Sequence, residues 1–337
     1  MQLPEPRGPL GEALGHDLAN RTTLSAVTLE CADRVSDLAT CALTDEDLQL
    51  SLAVCYELHY RGFDGVDDDW EWDPALLRLR AGLERRHLAA LRTLVGTVAV
   101  SDEPIDRQLA TLIAADDGPS LSTYMAKTGT LAQWREYLTV RSVYHLKEAD
   151  PHTFAVPRLS GRAKAAMVEI QADEYGGGSA ERMHSELFAG LMRDLDLDAT
   201  YGALWNDAPP AAFASVNTMS LFGLHRRWRG AALGHLACVE MTSSEPSRRY
   251  SAGLRRLGFD EQVTVFYDEH VEADAVHEQI ASVDMCGSLV AEQPDLLPDV
   301  LFGAACSLAM DGVAAGHLLG AWEAGRSALR KDRPLAA

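Results

Sequence analysis

Phe266-Tyr-Asp-Glu-His270-Val-Glu-Ala-Asp274-Ala-Val-His277 is the stretch on which the reading of this chain turns. On a helix of 3.6 residues per turn, the steps from 270 to 274 and from 274 to 277 leave His270, Asp274 and His277 on one face. Two imidazoles and a carboxylate on one stripe suit iron, manganese or zinc better than calcium, which prefers oxygen donors. The same segment also fits an ordinary solvated face, because Asp268, Glu269, Glu272 and Glu278 surround the stripe. Both readings need a helix. Helical periodicity dominates the rest of the chain, and alternating β-branched runs are scarce, so the expected fold class is all-α.

Other polar islands interrupt the apolar pattern. In Asp173-Glu174-Tyr-Gly-Gly-Gly178-Ser-Ala-Glu181-Arg-Met-His184, consecutive glycines each cost a helix about 1 kcal/mol relative to alanine, so they mark a break or a close backbone approach. Glu174 and His184 then flank that break. Glu181-x-x-His184 has the spacing of inward-facing ligands in di-iron carboxylate bundles, although Glu181 also reads as an ordinary exposed glutamate. Glu240 ends the apolar run Gly230–Val239, where a carboxylate is costly unless paired or coordinated, and this makes it a candidate bridging ligand. His235, earlier in that run, reads as a satisfied core histidine. Glu148, Asp150 and His152 stand at a helix end before and after Pro151, where capping or surface roles compete with a ligand role for Glu148.

Composition bounds the partners. The chain has 337 residues, of which 47% are hydrophobic, enough for a substantial core. Fifty acidic against thirty basic side chains give a net charge of −20, which repels phosphate backbones and anionic lipid surfaces, so neither nucleic acid nor a membrane is an expected partner. Apolar runs such as Leu301–Met310 with its neighbours read as too short or too often interrupted by charge to span a bilayer, and Met1-Gln-Leu-Pro-Glu-Pro lacks the plan of a secretion signal. A cytoplasmic location is expected. Cys31, Cys41, Cys55, Cys238, Cys286 and Cys306 form no Cys-x-x-Cys pair and read as small buried side chains.

Along the chain, residues 1 to about 22 read as an irregular arm rich in Pro and Gly. Thr44-Asp-Glu-Asp47 reads as a helix start, with a break at Gly62–Gly65 and a restart at Pro74. From about residue 120, successive helices are expected near 120–127, 130–149, 160–175, 179–195, 199–205, 210–225, 228–243, 246–257, 261–283, 292–309 and 311–329. No segment reads as an interdomain linker.

Taken in order, Glu174-Tyr-Gly-x-Gly, His184-x-x-Leu-Phe188, a buried Glu240 and His270-x-x-x-Asp274-x-x-His277 resemble the haem-oxygenase-like di-iron oxidases, or iron-containing redox enzymes. The likeness covers about residues 140 to 325. It implies a bundle of about seven core helices at 136–330, with residues 1–135 as an N-terminal helical extension packed on it. It further implies a metal ligand set of Glu148, Glu174, His184, Glu240, His270, Asp274 and His277, holding two iron ions (Fe2+) rather than haem. Three ligand helices, those bearing His184, Glu240 and His270, would carry the iron. Enzymes of this kind use dioxygen and an external electron donor to N-oxygenate an amine, or to remove hydrogen from an aliphatic carbon with desaturation or C–C cleavage. The expected substrate is a small molecule, such as an amino acid or fatty acid derivative, and a homodimer is one assembly compatible with the reading. Arg158, Arg162 and Lys164 are candidates to meet a substrate carboxylate, whereas Tyr175 and Tyr267 read as packing residues. Two other readings compete: a metal-independent oxidase or hydrolase of the same fold, which would need no seven-residue ligand set, and a non-catalytic binding protein, which would be expected to have lost ligand positions.

Overall fold

The computed structural model describes residues 1–37 and 42–330, with the side chains of 36, 37 and 272–275 outside the description. Within it the chain is all-α and has no strand. The helices are α1 (Pro9–Asn20), α2 (Ala26–Asp37), α3 (Glu46–Glu57), α4 (Pro74–Val95), α5 (Ile105–Ala114), α6 (Leu121–Lys127), α7 (Leu131–His145) and α8 (Asp150–Thr153). They continue as α9 (Gly161–Glu174), α10 (His184–Asp194), α11 (Pro210–Leu224), α12 (Arg229–Thr242), α13 (Ser244–Arg256), α14 (Glu261–Gln279), α15 (Ser288–Glu292) and α16 (Leu297–Glu323).

Local chemistry sets the starts. Asp45 caps α3 by accepting from the Leu48 amide at 2.9 Å, and Asp73 caps α4 from the Leu76 amide at 2.8 Å, with Pro74 in the first turn where its missing N–H costs nothing. Gly62 and Gly65 take positive φ in the intervening turn. The expected irregular arm at 1–22 is instead largely α1. Leu10, Leu14 and Leu18 form its buried stripe, and the buried Asp47 of α3 accepts from the Leu10 and Gly11 amides at 2.8 and 2.7 Å. The Pro and Gly content misled because the cap is supplied from a distant helix rather than from the local sequence.

Four further expectations are corrected. Residues 199–205 form turns rather than a helix, and α7 stops at His145, so Glu148 lies in the turn that follows. No break occurs near 310: Asp311 and Gly312 lie inside α16, which runs to Glu323. That helix is long and apolar enough to cross a membrane by length and composition, contrary to the reading of Leu301–Met310 as too short. Here its Val300, Leu301, Ala304 and Cys306 are buried in the single apolar cluster that extends from Leu10 to Ala328. The described cysteines carry free thiols, all buried except the half-buried Cys31, while Cys41 lies outside the described residues.

Two features position the ligand-bearing helices. Where α12 crosses α16, a Cβ added at Gly234 would meet the Val300 carbonyl oxygen at 1.9 Å, and one at Gly303 would meet the Ala231 carbonyl oxygen at 2.0 Å. Backbone touches backbone, so the depth of α12, and with it Glu240, is set by two absent side chains. Beside the other end of the site, the buried Lys147 ammonium bonds Glu57 of α3 at 2.9 Å and lies over the Tyr60 ring, while the Tyr201 hydroxyl also donates to Glu57. Removing either partner of a buried ion pair of this kind would strand the other charge in the interior.

Gly303→Ala is expected to destabilise the protein by about 1–3 kcal/mol or more through backbone overlap. Gly316→Ala, further along α16 where nothing lies within 4 Å, is expected to stabilise it by roughly 0.5–1 kcal/mol through helix propensity. Urea unfolding of both variants checks the contrast; equal midpoints would remove the close-packing account.

Candidate metal centre

Glu148, His184 and His270 bring one donor atom each to within 4.8 Å of one another, and Glu174, Glu240 and His277 do the same. The trios adjoin, because His184 Nδ1 of the first lies 3.1 Å from Glu174 Oε2 of the second. All six side chains are buried. They come from the turn after α7 and from the ends or faces of α9, α10, α12 and α14. The glycine run makes this possible: Gly176, Gly177 and Gly178 all take positive φ, and a Cβ at Gly176 would sit 2.6 Å from the Arg182 backbone. The chain therefore reverses tightly between Glu174, the last residue of α9, and His184, the first of α10.

Ring orientation says what the imidazoles offer. His270 Nδ1 lies 2.7 Å from the Phe266 carbonyl oxygen, and His145 Nδ1 lies 3.1 Å from the Arg141 carbonyl oxygen. A carbonyl only accepts, so each Nδ1 carries the proton, and a ring that is neutral then presents its lone pair at Nε2. Both Nε2 atoms face Glu148 Oε1, at 3.8 Å from His270 and 3.5 Å from His145. Burial pushes His145 down to about 4, so its ring is neutral near pH 7. A lone pair aimed at a carboxylate oxygen is repulsive unless a cation lies between them. The donor set fits a metal on this ground. Two buried atoms support it: Glu148 Oε2 and His184 Nδ1 make no hydrogen bond among the described residues, the latter despite its approach to Glu174.

Charge follows the same geometry. Burial alone would raise the Glu148 carboxyl, but His145, His270 and His184, in their proton-bearing forms at low pH, outweigh it and hold it well below the usual carboxylate range. For His184, burial opposes the charged form and Glu174 more than compensates, so it is raised. His277 lies between two acids, with Nδ1 3.2 Å from Glu240 Oε2 and Nε2 2.9 Å from Asp173 Oδ2. Burial works against its charge, yet Glu240 and Asp173 together raise it to about 9.

Of the seven residues proposed from sequence, these six meet, and the side chain of Asp274 lies outside the described residues. Glu181 does not take part. It is exposed and accepts from the Ser179 hydroxyl at 2.6 Å, so the Glu-x-x-His spacing there carries no ligand pair. His235 is buried against His152, with Nδ1 to Nε2 at 3.2 Å. Asp150 accepts from the Tyr175 hydroxyl. Arg158 is spent on the Gly223 and Leu224 carbonyls at the end of α11, and Arg162 pairs with Asp284 at 2.6 Å. Neither they nor Lys164 line the cavity beside the site. His145 and Asp173 were not singled out from sequence. The available signal was proximity: His145 stands three residues before Glu148, and Asp173 immediately precedes Glu174.

A cavity of about 340 Å³ opens onto the cluster, with Glu148, Glu174, Glu240 and His270 in its wall. That volume suits a small molecule.

Comparison with known proteins agrees with this chemistry. A nitrosourea synthase of Streptomyces achromogenes subsp. streptozoticus is 24% identical over 253 residues, which cover 72% of this chain and 54% of that protein. The chain thus spans about half the length of this curated relative. Residues 135–312, more than half of the chain and including every member of both trios, match a family described as iron-containing redox enzymes. As that family model covers more than half of the chain, the chain belongs to the iron-containing redox enzyme family.

Proposed function

We propose that this oxidoreductase holds two iron ions and uses dioxygen to oxidise a small molecule. The observation that carries the reading is the pair of adjoining trios, joined by the 3.1 Å approach of His184 to Glu174. One trio would suit one ion. Two in contact suit a pair of ions with carboxylates between them, as in di-iron carboxylate bundles. Asp274, on the same helical stripe as His270 and His277, is proposed as the seventh ligand.

When bound, such an iron pair would supply the electrons and the binding site that dioxygen chemistry requires. The chain's own residues do the rest. The Phe266 carbonyl holds the His270 proton at Nδ1 and keeps Nε2 available as a donor atom. Asp173 would do the corresponding work for His277, accepting a proton held at Nε2 and leaving Nδ1 to face the site beside Glu240. The neutral His145 would stand as a further nitrogen donor or orienting group next to Glu148. Burial of these groups excludes bulk water, which strengthens every charge interaction inside the site.

N-oxygenation is the favoured reaction, because the nitrosourea synthase is named for a product bearing oxidised nitrogen. One oxygen atom would pass to the substrate nitrogen and the other would leave as water, drawing an electron pair and two protons from an external donor. Hydrogen removal from carbon is the alternative outcome at the same site. The experiment that tests the reading is anaerobic iron loading followed by mixing with oxygen in a stopped-flow spectrometer. A coloured transient whose decay is accelerated by an amine substrate supports it; failure to take up iron ends it.

Two predictions are more local. Purified wild-type protein is expected to hold about two iron ions per chain, and Glu240→Ala or His184→Ala to hold about one or fewer by elemental analysis. Asp173→Asn is expected to weaken iron affinity by roughly tenfold, the lower end of the effect of removing a partner behind a histidine ligand, because Asp173 is itself largely exposed. Unchanged affinity in a metal-competition titration would remove Asp173 from the site.

A further inference from the structure

The cavity beside the centre has a charged wall that the metal chemistry does not use. Arg141 lies in that wall, and its side chain is 34% exposed. Among the described residues its guanidinium makes no hydrogen bond: Nε is buried without a partner, and the nearest acid, Asp311, approaches Nη1 only to 3.6 Å. Asp311 is itself 74% exposed, and an ion pair of that length with so open a partner contributes little. A fork of five donors left nearly empty inside a cavity is unusual, since half-buried guanidinium groups are normally engaged. Tyr137, Tyr250 and Tyr267 flank it and line the same wall, with the Tyr137 and Tyr250 rings stacked 5.0 Å apart. The wall therefore offers a planar cation among phenol rings in a chain of net charge −20.

Arg141 also has a defined relation to the centre. Arg141 and His145 stand one turn apart on α7, Glu148 follows in the turn beyond it, and all three line the same cavity. The α-helical rise from 141 to 145 and the tighter turn to 148 separate the two backbones by about 10 Å, which sets the scale of the distance from the guanidinium to the centre.

Resting on the two-iron reading above for the reacting end, the geometry points to Arg141 as the anchor for a carboxylate at the far end of a linear substrate. A carboxylate matches the guanidinium fork with parallel charge-assisted hydrogen bonds. Three backbone bonds span 3.8 Å, so a reach of about 10 Å corresponds to roughly eight bonds between the carboxylate carbon and the atom to be oxidised. Short acids such as acetate would occupy the anchor without reaching the centre. Asp311 sets a mild competing charge at the anchor, and its removal should strengthen anion binding.

The test uses the full chain and a series of straight-chain ω-amino acids of increasing length, with the matching primary amides as neutral controls. Binding is measured by calorimetry on metal-free protein and on anaerobic iron-loaded protein. The acids are expected to bind, with affinity in the iron-loaded protein highest near the eight-bond member. Arg141→Gln should lose at least about tenfold in affinity, the loss expected on removing a charge-assisted contact. Arg141→Lys should recover part of that loss and Asp311→Asn should bind more tightly, while the amides should be indifferent to all three changes. Iron content and thermal melting of the variants should match the wild type, which separates a lost anchor from a lost fold. Equal affinity of Arg141→Gln and wild type overturns the proposal, as does equal binding of acids and amides, or no binding of any acid to the wild type. Arg141-dependent acid binding in a protein that takes up no iron would keep the anchor and remove the metal reading, so the two fail separately.

Discussion

Three carboxylates among the described residues converge on one buried site of this bundle, and that crowding is the constraint on which the rest depends. Glu148, Glu174 and Glu240 are each at most 9% exposed, and donor oxygens of Glu174 and Glu240 fall within 4.8 Å of one another. Like charges at that distance in a medium of low dielectric repel strongly, and each also loses its hydration. The imidazoles compensate only in part: His184 and His277 hold their protons more tightly beside the acids, whereas the buried His145 gives its proton up. Divalent cations would answer the whole requirement at once, and burial, ring orientation and orphaned atoms all agree with that chemistry.

Meeting that requirement dictates features far from the donors. Helix α12 must come deep enough to carry Glu240 inward, and it does so by laying Gly234 against the Val300 carbonyl of α16. The reversal between α9 and α10 must be short enough to set Glu174 against His184, and glycines in left-handed backbone conformations provide it. Immediately after His277 the ligand helix α14 passes into a π-helical turn, Ile280–Gly287. Such turns are rare and concentrate near functional sites, where they re-aim the residues that follow. The site is thus an outcome of packing over most of the chain.

Sequence made the all-α class and most helix starts legible, because capping residues and periodicity are local. It also exposed His270 and His277 as a stripe, Glu240 as an acid in an apolar run, and the glycine reversal between Glu174 and His184. The remainder needed three dimensions. The Pro-rich start hid α1, whose cap is a side chain thirty-seven residues away. Glu181 has a ligand-like spacing, yet the turn at Ala180–Arg182 points it to solvent. His145 and Asp173 belong to the site through neighbours on other helices, and a lone arginine within α7 gives no hint in sequence that a cavity will open beside it.

The salt link between Glu57 and Lys147 bears on what counts as a unit in this molecule. The stretch that matches the family begins at residue 135, whereas Glu57 lies upstream of it. An excised family segment would carry an ammonium group with its counter-charge removed, one residue from Glu148, and would expose the apolar faces now covered by α3 and α4. The ion pair thus ties the turn that carries Glu148 to a helix outside the matched stretch, and the upstream helices buttress that turn.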